Sequence, residues 1–205
     1  MISIIDYGSG NVTAYSNIYK KLNMAHKIVN TSSDLEDASK IILPGVGAFD
    51  QVMESLNDSG MRETLDALVL RKKVPILGVC VGMQIMACTS EEGQMQGLSW
   101  IKGSILEIDT KMLKHKPQLP HMGWNSIQTT NNNNNIFENI DKDNGFYFLH
   151  SYFFSCENNK EVTATVNYGK NIPCAVNSGN IYGFQFHPEK SHLNGITLLK
   201  NFANI

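Results

Sequence analysis

Nowhere in the 205 residues is there an apolar run close to the ~20 that a membrane-spanning helix needs. No leader precedes Met1-Ile2-Ser3-Ile4-Ile5, which already has the composition of a strand, so a secretory address is not expected. A charge excess is missing too. Seventeen basic and 19 acidic side chains leave a net charge of −2, too little positive field to hold nucleic acid or an anionic membrane face. Cysteine is scarce: Cys80, Cys88, Cys156 and Cys174 contain no C-x-x-C pair and are too few for a disulfide scaffold. Reduced thiols and a cytoplasmic location follow as expectations. None of the six histidines forms a ligand-spaced set with cysteine or carboxylate, so no metal is expected.

What is present is ordinary globular composition, 42% hydrophobic and 18% charged, in a chain of the length of one domain. The first half alternates strands and helices. Strands are predicted over 2–6, 25–30 and 39–43, with a helix over 12–22 turning Ala14, Ile18 and Leu22 inward. The turn Tyr7-Gly8-Ser9-Gly10-Asn11 invites comparison with a dinucleotide fingerprint, but the third glycine would have to stand where Thr13 does. No cofactor is expected. Pro44-Gly45-Val46-Gly47-Ala48-Phe49 reads as a loop at the carboxyl edge of the sheet, where open α/β folds bind ligands. Helices over 49–56 and 61–71 follow, separated at Gly60, the second with a stripe of Leu65, Leu68 and Val69. This β-α-β order predicts a mostly parallel central sheet flanked by helices.

The stretch Val74-Pro75-Ile76-Leu77-Gly78-Val79-Cys80-Val81-Gly82-Met83-Gln84 is a buried-strand pattern that runs into G-x-Cys-x-G. That is the order of a nucleophile elbow, a sharp strand-to-helix turn that presents one side chain at the top of a sheet. Flanking glycines remove the Cβ atoms that would strike the neighbouring strand and helix. A helix N-terminus favours thiolate over thiol, and the N–H of Val81 can hold an oxyanion there, with N–H groups of the 44–49 loop as a second source. The helix after Cys80 is expected over 81–87, burying Ile85 and Met86, with Met83 as core filler and Gln84 facing the pocket mouth.

Beyond the polar loop Ser90-Glu91-Glu92-Gly93 the pattern changes to short strands, predicted over 101–108, 123–128, 145–156 and 162–167. They read as an added meander of mostly antiparallel strands. Lys111, Lys114, His115 and Lys116 make a basic turn, and Asn131 to Asn135 a polar loop. In Ile181-Tyr182-Gly183-Phe184-Gln185-Phe186-His187-Pro188-Glu189, alternation puts Tyr182, Phe184 and Phe186 on one face and Gln185 and His187 on the other. His187 and Glu189 are two residues apart in an extended segment and can point the same way. Cysteine, histidine and an orienting carboxylate follow the logic of a nucleophilic triad with sulfur in place of oxygen.

Gly78-Val79-Cys80-Val81-Gly82-Met83-Gln84 together with Phe184-Gln185-Phe186-His187-Pro188-Glu189 resembles the class I (triad) glutamine amidotransferases. Asp6 to Asn11, Pro44 to Phe49, Pro120-His121-Met122-Gly123-Trp124-Asn125, Leu149 to Tyr152 and Pro188 to Ser191 further resemble the branch serving imidazole glycerol phosphate synthases in histidine biosynthesis. The resemblance spans the chain from end to end. It implies a single α/β amidotransferase domain over 1–205 that hydrolyses L-glutamine and works docked on a (β/α)₈-barrel synthase. Cys80 would be the nucleophile, His187 the base and acid, and Glu189 its orienting partner. Val81, Gly45, Val46 and Gly47 match oxyanion positions; Gln84, Glu92, His150, Ser151 and Tyr152 match glutamine-holding positions. Asn11, Trp124, Tyr147 and Lys190 match positions turned toward the synthase. A related glutaminase feeding surface-sugar amidation, and a thiol enzyme or redox sensor of the same fold, stay open.

Overall fold

The computed structural model describes residues 1–113, 116, 118–130, 135–141 and 143–205; Lys114 and His115 of the basic turn and the asparagine run up to Asn134 lie outside them. The elements run β1 (Ile2–Ile5), α1 (Val12–Lys21), β2 (His26–Val29), α2 (Ser32–Leu35), β3 (Lys40–Gly45), α3 (Phe49–Asp58) and α4 (Arg62–Asp66), the last continuing as a π-turn over Ala67–Arg71. There follow β4 (Ile76–Cys80), α5 (Val81–Gln84), β5 (Thr89–Ser90), β6 (Gly103–Glu107), β7 (His121–Asn125) and β8 (Ile127–Thr129). The chain closes with β9 (Phe146–His150), β10 (Tyr152–Cys156), β11 (Val162–Tyr168), β12 (Lys170–Ser178), β13 (Ile181–Phe184) and α6 (His192–Ala203).

Eight strands form one sheet in the order β2-β1-β3-β4-β13-β12-β11-β8. The first five are parallel to their neighbours, and β12, β11 and β8 extend the sheet antiparallel. β1, β3 and β4 are the mostly apolar, buried strands of a sheet covered on both faces, interrupted in β1 by the buried Ser3, with Ile4, Ile5, Ile41, Ile42, Leu43, Ile76 and Leu77 all fully buried. Each such side chain contributes roughly 1.5–3 kcal/mol by leaving water. Successive residues of β13 point to opposite faces: Tyr182 meets Phe202 of α6, while a Cβ at Gly183 would lie 2.4 Å from Met83 of α5. Helices α5 and α6 therefore cover opposite sides of the sheet.

Several expectations are corrected. The antiparallel strands are not one meander: β8, β11 and β12 belong to the main sheet, β10-β6-β5 make a second, and β7-β9 a third. The strand expected over 145–156 is two strands in different sheets, divided at Ser151, and that over 123–128 is divided at Ser126. β3 runs through Pro44 to Gly45, so the loop begins only at Val46. On α1 the buried residues are Tyr15 and Tyr19, with Ala14, Ile18 and Leu22 half-buried beside them; the hydroxyl of Tyr19 donates to Leu199 O of α6 at 3.3 Å. The helix after Cys80 is a single turn. Its continuation is diverted because Ile85, Met86 and Ala87 offer their carbonyls to the N–H groups of Leu98, Trp100 and Ser99.

Candidate functional site

Register brings three strand ends together: Gly45 of β3 is opposite Cys80 of β4, and Phe184 of β13 is opposite Val79. Cys80 sits at φ +55° and ψ −117°, a conformation an L-residue adopts only when its surroundings enforce it. The enforcement is close backbone packing. A Cβ on Gly82 would lie 2.1 Å from Leu43 O, and one on Gly78 would lie 2.6 Å from Gly82 O. A Cβ on Gly45 would lie 2.3 Å from Gly82 N, so this glycine serves close approach of β3 to the elbow. The thiol is almost buried, 4.0 Å from Leu149 O, and receives Gln185 Nε2 at 3.9 Å. Val81 opens α5 directly after it.

His187 follows β13, and its Nδ1 donates to Glu189 Oε1 at 2.8 Å; the two side chains are each 4% exposed. The second carboxylate oxygen accepts Tyr15 Oη–H at 2.7 Å, so α1 holds the acid from the other side. The Tyr15 phenol is kept neutral, with its pKa pushed well up by burial and by the Glu189 charge. Burial pulls the His187 pKa down, yet hydrogen bonds and charge from Cys80 and Glu189 outweigh it and raise the imidazole to about 10. For Glu189, burial works upward and is outweighed by His187 and Tyr15, which lower it. The turn is tied to β9 by His187 N–H on Tyr147 O (2.9 Å) and Tyr147 N–H on Ser191 Oγ (3.0 Å).

Cys80 and His187 border a cleft of about 280 Å³ that Gln84, Glu92, Ser151 and Lys190 also line. Val46, Gly47, Val81, His150 and Tyr152 also line it, as do Pro120 and Leu149, which sequence reasoning did not single out. Gly45 lies beneath the cleft, packed on the elbow. Gln84 is buried, and its Nε2 donates to Gln185 Oε1 at 3.1 Å. The His150 ring donates from Nδ1 to Tyr152 O (2.8 Å) and accepts His121 Nδ1–H at Nε2 (2.9 Å); burial lowers its pKa to about 3, leaving it uncharged. Val46 is exposed, but its N–H donates to Ser9 Oγ at 2.9 Å while Ser9 Oγ–H donates to Val46 O at 3.0 Å. The Val46 N–H is thus engaged by Ser9, a residue that does not line the cleft.

Of the residues expected at a partner face, Trp124 is 48% exposed and lies 6.3 Å from the Tyr147 ring, and Lys190 Nζ stands 5.5 Å over that same ring. Asn11 is exposed and its side chain accepts Ala14 N–H as the N-cap of α1. Tyr15 and Ser9 were missed: their relation to Glu189 and Val46 spans 174 and 37 residues, and no local pattern carries it. A second cleft of similar size, lined by Ile127, Phe137, Ile140 and Phe146, has Asp141 as its one ionisable group among the described residues. Among the described residues there is no cluster of potential metal ligands and no helix long and apolar enough to cross a membrane.

A nucleophile elbow with a buried imidazole–carboxylate pair beside it defines an enzyme class able to cleave acyl or amide bonds through a thioester. The family model for glutamine amidotransferase class-I matches residues 3–205, and the chain belongs to that family. It is 50% identical over 205 residues to the imidazole glycerol phosphate synthase subunit HisH of Leptospira borgpetersenii, with the whole of both chains aligned. The subunit of that name from Bdellovibrio bacteriovorus is 49% identical, again over the full length of both. A solved structure described as a glutamine amidotransferase superposes with a TM-score of 0.73 at 16% identity, covering 100% of this chain and 99% of the other, and speaks for the fold alone.

Proposed function

We propose that this chain is the glutaminase subunit of an imidazole glycerol phosphate synthase, a cytoplasmic enzyme of histidine biosynthesis. It hydrolyses L-glutamine to L-glutamate and ammonia and passes the ammonia to a (β/α)₈-barrel subunit that makes imidazole glycerol phosphate and AICAR. The observation that carries the chemistry is that Cys80 and His187 line one cleft while Glu189 is hydrogen-bonded to the His187 ring. The pathway rests on full-length similarity to HisH subunits.

The Cys80 thiolate attacks the side-chain amide carbon of glutamine, and the carbonyl oxygen takes up the negative charge. Val81 N–H holds that oxyanion, joined by a loop N–H from Val46 or Gly47 when the loop turns inward. The His187 imidazolium gives its proton to the departing nitrogen, so ammonia leaves and a glutamyl thioester remains. His187, now neutral, removes a proton from water as it adds to the thioester; collapse returns the thiolate and releases glutamate. Glu189, steadied by Tyr15, keeps the imidazole in one tautomer and orientation. Gln84, Glu92, His150, Ser151 and Tyr152 hold the amino-acid end of glutamine. With Val46 N–H engaged by Ser9, that donor is withheld from the oxyanion and the free chain is slow; docking of the barrel favours release of the loop by contacts that exist only in the complex. Asn11, Trp124, Tyr147 and Lys190 face that partner, with exposed Met122 and Leu193 beside them.

Reconstitution with the barrel subunit encoded in the same genome tests the reading. Wild type should form product from glutamine, and Cys80→Ala should lose this while its complex still uses ammonium salt. Product formed by this chain without a second polypeptide, or glutamine hydrolysis persisting in Cys80→Ala, would overturn it.

A further inference from the structure

Glu92 is the one carboxylate among the described residues that line the cleft, the charge a glutamine α-ammonium would call for, and its side chain makes no hydrogen bond within its own loop among those residues. Helix α3 begins at Phe49 without a side-chain cap from its own N-cap residue, Ala48. Glu92 supplies the cap instead, accepting Phe49 N–H at Oε2 at 2.9 Å. Its other oxygen has no hydrogen bond among the described residues. The reverse bonds come from Asp50, in the first turn of the same helix. Its carboxylate accepts Gln94 N–H at 3.1 Å (Oδ1) and 2.9 Å (Oδ2), and Met95 N–H at 3.0 Å (Oδ1). The fit between them is tight, since a Cβ on Gly93 would lie 2.0 Å from Asp50 Oδ1.

Resting on the glutaminase reading above, we infer that Asp50 is a positioning residue for glutamine recognition, holding the 92–95 turn so that Glu92 presents one oxygen to the substrate ammonium. Asp50 does not line the cleft, so it acts through the turn. Two carboxylates crossing between the same two segments fix distance and rotation together, which one bond cannot do. The arrangement also separates the two parts of the reaction. The ammonium contact is made equally in ground and transition states, so loosening it raises KM and leaves kcat nearly unchanged. Asp50→Asn keeps the volume but sets an amide N–H₂ where Oδ2 now receives Gln94 N–H.

The experiment measures steady-state hydrolysis by the complex of this chain with its barrel subunit, for wild type, Asp50→Asn and Gly93→Ala. Substrates are glutamine and 4-carbamoylbutanoate, which has the same amide and carboxylate but no ammonium. Both variants should raise KM for glutamine about tenfold, equivalent to about 1.4 kcal/mol, with kcat within about twofold. The weaker hydrolysis of 4-carbamoylbutanoate should not change. Equal losses on both substrates would make Asp50 a support of the fold and overturn the inference, as would an unchanged KM for glutamine. In either case wild-type turnover of glutamine leaves the glutaminase reading standing; a wild-type complex inert toward glutamine would remove both.

Discussion

Ser9→Ala should make the free chain a faster glutaminase. Ser9 Oγ both accepts Val46 N–H and donates to Val46 O, a two-bond clasp that keeps this N–H occupied and so withheld from an oxyanion at Cys80. Each bond contributes a net of about 0.5–1.5 kcal/mol, so the clasp favours the outward loop by about 1–3 kcal/mol. Since 1.36 kcal/mol is tenfold, its removal raises the inward population, and with it the free-chain rate, by roughly 5- to 150-fold. On the proposed mechanism the rate of the complex is the ceiling, because there the partner would already hold the loop inward. Val46 is more than half exposed, so water can satisfy the released N–H and the lower part of that range is the firmer expectation. The assay is glutamate release with and without the synthase partner subunit, at saturating glutamine. The partner's stimulation factor should shrink by the same multiple that the free rate grows. An unchanged or lower free-chain rate in a folded Ser9→Ala protein would refute the clasp as the source of silence.

Glu189→Gln removes one of the two groups that raise His187, so the alkaline limb of the rate profile, expected near pH 10 in wild type, should move to lower pH; a limb that stays put argues against the pairing. The linked stability has the same sign: with the folded pKa raised, the His187 contribution is complete below pH 6.5 and lost as pH climbs through about 10, which chemical denaturation at several pH values can read. Lys190→Ala should cut partner-stimulated turnover severalfold while changing glutamine KM less, since Lys190 lies over Tyr147 at the outer rim; a change confined to KM would place it with the substrate instead. Gly82→Ala puts a methyl 2.1 Å from Leu43 O and should destabilise by about 3 kcal/mol in urea denaturation, and wild-type stability would show that the elbow can relax.

The elbow was legible because its constraint is local. Gly78 and Gly82 are required by atoms within one turn of Cys80, and G-x-Cys-x-G states that requirement in five letters. The alternation around His187 was legible for a similar reason: Phe184 and Phe186 stack at 5.1 Å on one side while Gln185 reaches Cys80 on the other. β12 was overlooked because Pro173 argues against a central strand; it is tolerated where the β11–β12 register shifts, and the buried Ile172, Cys174 and Val176 were the signal available. Helix α6 also left a trace, with Leu198, Leu199 and Phe202 spaced along one face. On α1 the pattern misled, because Tyr15 and Tyr19 bury large rings and place their hydroxyls on partners the sequence does not reveal. Polar reach over long separations is what a single sequence conceals.

That concealed reach is concentrated in one segment. Tyr7 donates its hydroxyl to Pro44 O, Ser9 clasps Val46, Asn11 caps α1 in the open, and Tyr15 holds Glu189. Within nine residues the chain touches the strand carrying the loop, the loop itself, the proposed partner face and the carboxylate paired with His187. On the proposed mechanism, a partner pressing on Asn11 would act on the same stretch, the turn after β1 and the first helical turn of α1, that bonds both Val46 and the Glu189 carboxylate beside His187. Coupling needs no long pathway in this arrangement. A shift of the turn that opens the Ser9–Val46 clasp while leaving Tyr15 on Glu189 would complete the oxyanion hole and preserve the imidazole, because the clasp precedes the helix and the tyrosine lies within it.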